Sequence, residues 1–183
     1  IAAVFERIDV KHELLERVSH ATDAIIASNT STFMPSVLAQ VVRAPERFLI
    51  AHFFNPADVV PLVEIVPGPQ SDPEVVRTVF DLMVALDRKP VLLERECPGF
   101  VANRLQAAMI RECIALIEQG IVSAQDVDQI VKTSLAPRWK VAGPLGVADL
   151  AGLDIFLALS AQLFPELSTA AAPQHTLQSL VDE

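Results

Sequence analysis

The stretch Phe48-Leu49-Ile50-Ala51-His52-Phe53-Phe54-Asn55-Pro56, read with Leu62-Val63-Glu64-Ile65-Val66, decides how this chain folds. Each is an apolar run closed by a proline and carries a single ionisable residue, the pattern of strands buried inside a sheet. A lone histidine or glutamate in such surroundings costs several kcal/mol, so the economical arrangement is that the two meet. A histidine whose second ring nitrogen is held by a carboxylate is a proton-transfer device. The plainer alternatives are that Glu64 faces water from an edge strand and that His52 is a satisfied core histidine.

Upstream, Ile1 to Phe5 predicts a short buried strand, and Asp9 is placed to cap a helix with Val10, Leu14, Leu15 and Val18 on its inner face. Lys11, Glu13, Glu16 and Arg17 fall on the other face. Ala24-Ile25-Ile26-Ala27 predicts the next strand, which makes a βαβ unit and a parallel sheet. Five small polar residues, Ser28-Asn29-Thr30-Ser31-Thr32, follow it before Pro35 starts a helix through Ala39. One of them is expected to cap that helix. The cluster stands where a doubly wound sheet forms its ligand crevice, at the carboxyl ends of its strands, and His52 reaches the same edge. The short connection to the Glu64 strand favours neighbours in space.

Downstream, Asp72-Pro73-Glu74 opens a helix with Val75, Val76, Val79, Phe80, Met83 and Leu86 inward, and Pro90-Val91-Leu92-Leu93 is the last strand. The charged, Pro- and Gly-broken segment Glu94 to Gly99 marks a boundary between an α/β part, residues 1–96, and an all-α part, residues 97–183. Phe100 to Gln119 predicts a helix so apolar that it should be wrapped on several sides, in a bundle or a dimer interface. Asn103 stands in its first turn, where free N–H groups and the helix dipole favour negative charge, or where it merely helps to cap. Ser123-Ala124-Gln125-Asp126 resembles a capping box. Ala136 to Gly146 is expected as a loop, Val147 to Ser160 as a helix broken near Gly152, and Leu177, Leu180 and Val181 as the start of a last helix.

The 183 residues carry a net charge of −9, which argues against nucleic acid or an anionic membrane as partner. The longest uncharged run, Ala24 to Val42, is interrupted by polar residues and does not span a membrane. Half of the residues, 51%, are hydrophobic, more than most soluble surfaces hide, so some apolar surface should meet a partner subunit or further chain. Two cysteines, Cys97 and Cys113, are too few for a disulfide framework and fit a reducing cytosol or matrix, of which a cytoplasmic setting is the expectation. The chain shows no internal repeat and no metal-ligand spacing.

Together, Ala27-Ser28-Asn29-Thr30-Ser31, His52-Phe53-Phe54-Asn55-Pro56, Leu62-Val63-Glu64 and Pro98-Gly99-Phe100-Val101-Ala102-Asn103-Arg104-Leu105 resemble the L-3-hydroxyacyl-CoA dehydrogenase family over nearly the whole chain. The resemblance implies the second half of a Rossmann-like doubly wound sheet followed by a helical dimerisation domain, with the active site between them. It implies His52 as general base, Glu64 as its orienting acid, and Ser31 and Asn103 as substrate contacts. NAD is the implied cofactor, touched by Glu6, Lys11, Ser31 and Asn55, and the implied partners are an acyl-CoA substrate and a second copy of the chain. No Gly-x-Gly-x-x-Gly turn is present, nor the family's later Gly-rich segment, so a fragment that alone binds NAD weakly and turns over poorly is expected. The Trp139 region is similar to lambda-crystallin and gulonate dehydrogenase, which act on sugar acids, although Phe53 is kept. A non-catalytic interaction module, using the apolar face around Met109 and Ile117, is the reading from another class.

Overall fold

Alternation along the two central strands sorts the core into two layers. In a computed structural model that describes residues 1–182, Phe48–Phe53 (β2) and Leu62–Pro67 (β3) pair antiparallel, with Ile50 opposite Val66 and His52 opposite Glu64. Even-numbered positions therefore share one face of the sheet. Phe48, Ile50 and Val66 pack there with Leu15, Leu38, Leu93 and Phe100. Odd-numbered Leu49, Ala51, Val63 and Ile65 pack on the other face with Val76, Val79 and Met83.

Two further strands complete a four-stranded sheet in the order β1-β2-β3-β4. Ile26–Ser28 (β1) joins β2 in parallel, and Lys89–Leu92 (β4) joins β3 in parallel. The antiparallel β2–β3 pair is the departure from an all-parallel expectation. Its connection is too short for a crossover helix, so the chain must turn back on itself. Residues 1–5 do not form the expected buried strand: Ala2 alone bridges to Ser28, and Phe5 is 83% exposed.

Helix α1, Ile8–Ala21, begins one residue before Asp9, which pairs with Arg7 in the first turn instead of capping. Its inner face is Lys11, Leu15 and Ser19, so Lys11 lies on the buried side and not the solvent side. The short α2, Pro35–Leu38, follows Met34, whose side chain caps nothing. Its amide at Ser36 donates to the Glu96 carboxylate at 2.8 Å, so a distant acid does the work expected of residues 28–32. Helix α3, Pro73–Ala85, is capped by Asp72, which accepts from the Glu74 amide, and buries Val76, Val79 and Met83. Leu86, expected inward, is 55% exposed, because the helix ends before it.

The chain divides into two compact units, Ile1–Arg104 and the residues from Leu105 on. Helix α4, Ala102–Glu118, starts later than expected, since Gly99 and Phe100 both adopt positive φ. In the second unit follow α5, Ala124–Ile130, a π turn at Val131–Leu135, α6, Ala136–Ala151, α7, Leu153–Leu163, and α8, His175–Asp182. Ser123 caps α5 and exchanges hydrogen bonds with Asp126, as the capping-box pattern expects. Residues 136–142 are helical, not loop; only Gly143, at φ 65° before Pro144, kinks α6. The expected last helix from Leu177 is met by α8, while Glu183 and the side chains of Leu180 and Asp182 lie outside the described residues.

Among the described residues α4 is not wrapped as the centre of a bundle: it buries Ala115, and Val141, Leu145 and Leu150 of α6 are more than 80% exposed. No single helix among the described residues is long and apolar enough to cross a membrane.

The two-layer core predicts that Ile65→Ala lowers stability by about 2–5 kcal/mol, because it empties a fully buried site. Leu86→Ala should change it by less than about 0.5 kcal/mol. Urea denaturation of the two variants separates them; equal losses would contradict the layering.

Candidate active site

The cross-strand register does the first part of building the site. Residues directly opposite on an antiparallel pair have Cβ atoms about 5 Å apart on one face, so His52 and Glu64 meet by backbone geometry alone. Both are buried, at 3% and 2% exposure, and Nδ1 of His52 donates to Oε2 of Glu64 at 3.0 Å. A carboxylate only accepts, which fixes the proton on Nδ1 and leaves Nε2 as the free acceptor.

The second oxygen of Glu64 is used as well. Oε1 accepts from the Val101 amide at 3.0 Å and the Ala102 amide at 2.9 Å, two of the unpaired N–H groups where α4 begins. Burial pushes the Glu64 carboxyl up; the hydrogen bond from His52 and those from the Ala102 and Val101 amides outweigh it and hold the group below the usual carboxylate range. The Phe100 ring, fully buried although its φ is 54°, lies 5.4 Å from the His52 ring, and Phe54 lies 4.4 Å away. Among the described residues every fully buried side-chain nitrogen or oxygen has a hydrogen-bond partner, and Nε2 of His52 makes no such bond. Nε2 is thus the part of the ring that keeps contact with solvent. The imidazole is sheltered without being sealed.

The loop after β1 adds the remaining groups. Asn29 accepts the Phe53 amide at 2.8 Å and ties this loop to the end of β2. Asn103, at the start of α4, donates from Nδ2 to the Ser31 carbonyl at 2.9 Å. The structure therefore brings Ser31 and Asn103 together, through the backbone oxygen of Ser31. The hydroxyl of Ser31 and the exposed side chain of Asn55 make no hydrogen bond among the described residues. A hydroxyl and an amide left open beside the carboxyl ends of β1 and β2 form a donor and acceptor set that suits the carboxamide of a nicotinamide ring. No glycine-rich turn for a pyrophosphate stands beside them. The fit is to the nicotinamide end of NAD.

Glu6 and Lys11 stand behind that loop. Lys11, 2% exposed, places Nζ 2.9 Å from Oε2 of Glu6, while Oε1 of Glu6 accepts from the Ser31 and Thr32 amides at 3.0 Å and from the Thr30 and Thr32 hydroxyls. Partial burial pushes the Glu6 carboxyl up, and the bonds from Thr30, Lys11 and Thr32 more than reverse this, bringing its pKa down to about 2. Sequence reasoning missed five participants: the Val101 and Ala102 amides, the Phe100 ring, the Asn29 side-chain oxygen and the Glu96 cap. Asn29, Phe100, Val101 and Ala102 all stood inside quoted motifs, but nothing local marked their roles, which, like that of Glu96, depend on partners 24 to 60 residues away.

Residues 1–97 match the model of the 3-hydroxyacyl-CoA dehydrogenase NAD-binding domain, and residues 99–183 that of the 3-hydroxyacyl-CoA dehydrogenase C-terminal domain. A 3-hydroxyacyl-CoA dehydrogenase of Gibberella moniliformis is 38% identical over 80% of this chain and 47% of its own length. An L-carnitine dehydrogenase of Pseudomonas putida is 36% identical over 81% of this chain and 47% of its own. Among solved structures, an NAD-dependent 5-formyl-3-hydroxy-2-methylpyridine 4-carboxylic acid 5-dehydrogenase superposes with a TM-score of 0.95 at 30% identity, over 98% of this chain and 59% of that one. The chain spans about half the length of the curated relatives it matches.

Both lowered carboxyls tie stability to acid. Each is a charge that the fold favours above its ordinary pKa of 4.5 and loses as pH falls through the lower folded value. Stability should therefore be level above pH 4.5 as far as these groups matter and decline from there toward pH 2. The decline should be shallower in Glu6→Gln. An unchanged acid limb, measured by circular dichroism melts across this range, would contradict the Glu6 network.

Proposed function

We propose that this chain, which belongs to the 3-hydroxyacyl-CoA dehydrogenase family, carries the proton-transfer centre of an NAD-dependent oxidation of an L-3-hydroxyacyl-CoA to the 3-oxoacyl-CoA. One observation supports this above all: His52 donates Nδ1–H to a buried, ionised Glu64 and keeps Nε2 unpaired.

His52 Nε2 takes the proton of the C3 hydroxyl. Glu64, already ionised, stabilises the imidazolium that results without becoming protonated itself. Ser31 and Asn103 hold the substrate oxygen as it turns into a carbonyl, and the rings of Phe54 and Phe100 keep water from the far side of the imidazole. Ser31 and Asn55, with Glu6 and Lys11 behind them, would hold the nicotinamide end of NAD, which when bound would supply the acceptor for the hydride from C3. In the reverse direction His52 returns the proton.

A thioester substrate is the finer part of this reading. The relatives' names include L-carnitine and a pyridine carboxylate, and a sugar acid is the other alternative; all ask for the same base. The apolar side chains left open on α4, α6 and α7 support a second copy of the chain as partner, which makes a non-catalytic module needless as an explanation for them. Two free cysteines agree with a cytoplasmic enzyme.

Reduction of acetoacetyl-CoA by NADH in the intact protein tests the proposal. His52→Gln or Glu64→Gln should lower kcat by about 10² to 10⁴, the usual worth of an oriented general base. Turnover within a few-fold of wild type in either variant contradicts the base assignment. Turnover of L-carnitine without any of acetoacetyl-CoA would keep the base and discard the thioester.

A further inference from the structure

One carboxylate outside the His52–Glu64 pair gathers more donors than a surface acid needs. Glu6 Oε1 accepts Ser31 N–H and Thr32 N–H at 3.0 Å, Thr32 Oγ1–H at 2.9 Å and Thr30 Oγ1–H at 2.5 Å, while Oε2 holds the buried Lys11. The Ser31 peptide is thereby gripped on both sides, its N–H by Glu6 and its carbonyl by Asn103 Nδ2 at 2.9 Å. Its hydroxyl, on a half-buried residue, is left without a partner among the described residues.

We propose that Glu6 is a positioning residue for Ser31: its carboxylate fixes the Ser31 peptide so that the hydroxyl is presented to the ligand in one orientation. Its effect on turnover rests on the dehydrogenase reading given above; its grip on the loop does not. Oε1 is filled by the protein's own donors, so Glu6 acts through Ser31 and not as a direct acceptor for substrate. Lys11 is the counter-charge that lets an ionised carboxylate stand there, since a charged acceptor binds amide N–H groups about twice as strongly as a neutral one. Loop donors and carboxylate then hold one another in place. A loop of five small polar residues has little apolar area with which to fix itself, and this acid supplies the missing constraint.

Removal of Glu6 alone would leave Lys11 buried and unpaired, which threatens the fold for an unrelated reason. The informative comparison is therefore between Glu6→Ala with Lys11→Met and Glu6→Gln with Lys11→Met. Both lack the charge pair, and only the second keeps an oxygen for the Ser31 and Thr32 amides. In the intact protein the Ala pair should turn over about 10²-fold more slowly than the Gln pair, the cost of misplacing a contact by about 1 Å. Adding Ser31→Ala to the Ala pair should cost nothing further, because the two changes remove one interaction. Amide hydrogen exchange, read without substrate or cofactor, should be at least about tenfold faster at Ser31 and Thr32 in the Ala pair than in the Gln pair. Multiplicative losses with Ser31→Ala, or equal exchange rates in the two pairs, would overturn the proposal. If His52→Gln leaves turnover intact, the dehydrogenase reading falls, and the exchange rates still decide whether Glu6 holds the loop.

Discussion

The first unit depends on a single buried carboxylate shared between two tasks. Glu64 gives one oxygen to the imidazole of His52 and the other to the first amides of α4. Neither task would suffice alone. A buried anion facing only a histidine would keep two of its lone pairs empty, and a helix start buried without an acceptor would leave N–H groups unpaired. Shared, the charge meets three donors, and deletion of such a partner from a buried site costs about 3–5 kcal/mol. The same carboxylate that receives the first amides of α4 therefore orients the ring proposed to take the proton.

This explains why the site was legible where it was. The alternation of His52 and Glu64 with aliphatic residues, each run ended by a proline, was enough to predict two buried strands and a meeting of the pair. The direction of the pairing was not legible from the runs themselves. An antiparallel β2–β3 pair lies inside a sheet that is otherwise parallel, and only the short connection between them hinted at it. The positive φ of Phe100 had no signal in composition, yet it delays α4 to Ala102 and turns the Val101 and Ala102 amides toward Glu64. Helix α6 misled for the opposite reason: Pro137, Gly143, Pro144 and Gly146 look like a loop, but proline is at home in a helix's first turn and Gly143 alone absorbs the break.

Lys11 and Glu6 illustrate a second limit. On a helical wheel Lys11 belongs to the wet face, and the family resemblance alone marked it as part of the site. Its burial follows from a carboxylate five residues earlier in the chain, which lets the ammonium enter the protein without losing its counter-charge. The second unit shows the reverse, with many large apolar side chains in the open. Those residues explain the hydrophobic composition that the sequence displays, and they are the surface on which a second copy is proposed to sit. The chain belongs to the 3-hydroxyacyl-CoA dehydrogenase family, and its first unit holds the buried His52–Glu64 pair on which the proposed proton transfer rests.

The central claim is that the anion behind the ring sets which nitrogen is free. Nitrogen-15 NMR of the His52 ring at about pH 8, where an ordinary imidazole is neutral, tests it without substrate, cofactor or partner. The account predicts a proton on Nδ1, slow to exchange, and a bare Nε2, with that preference lost in Glu64→Gln. A ring that carries its proton on Nε2, or one whose tautomer is indifferent to Glu64, would contradict it.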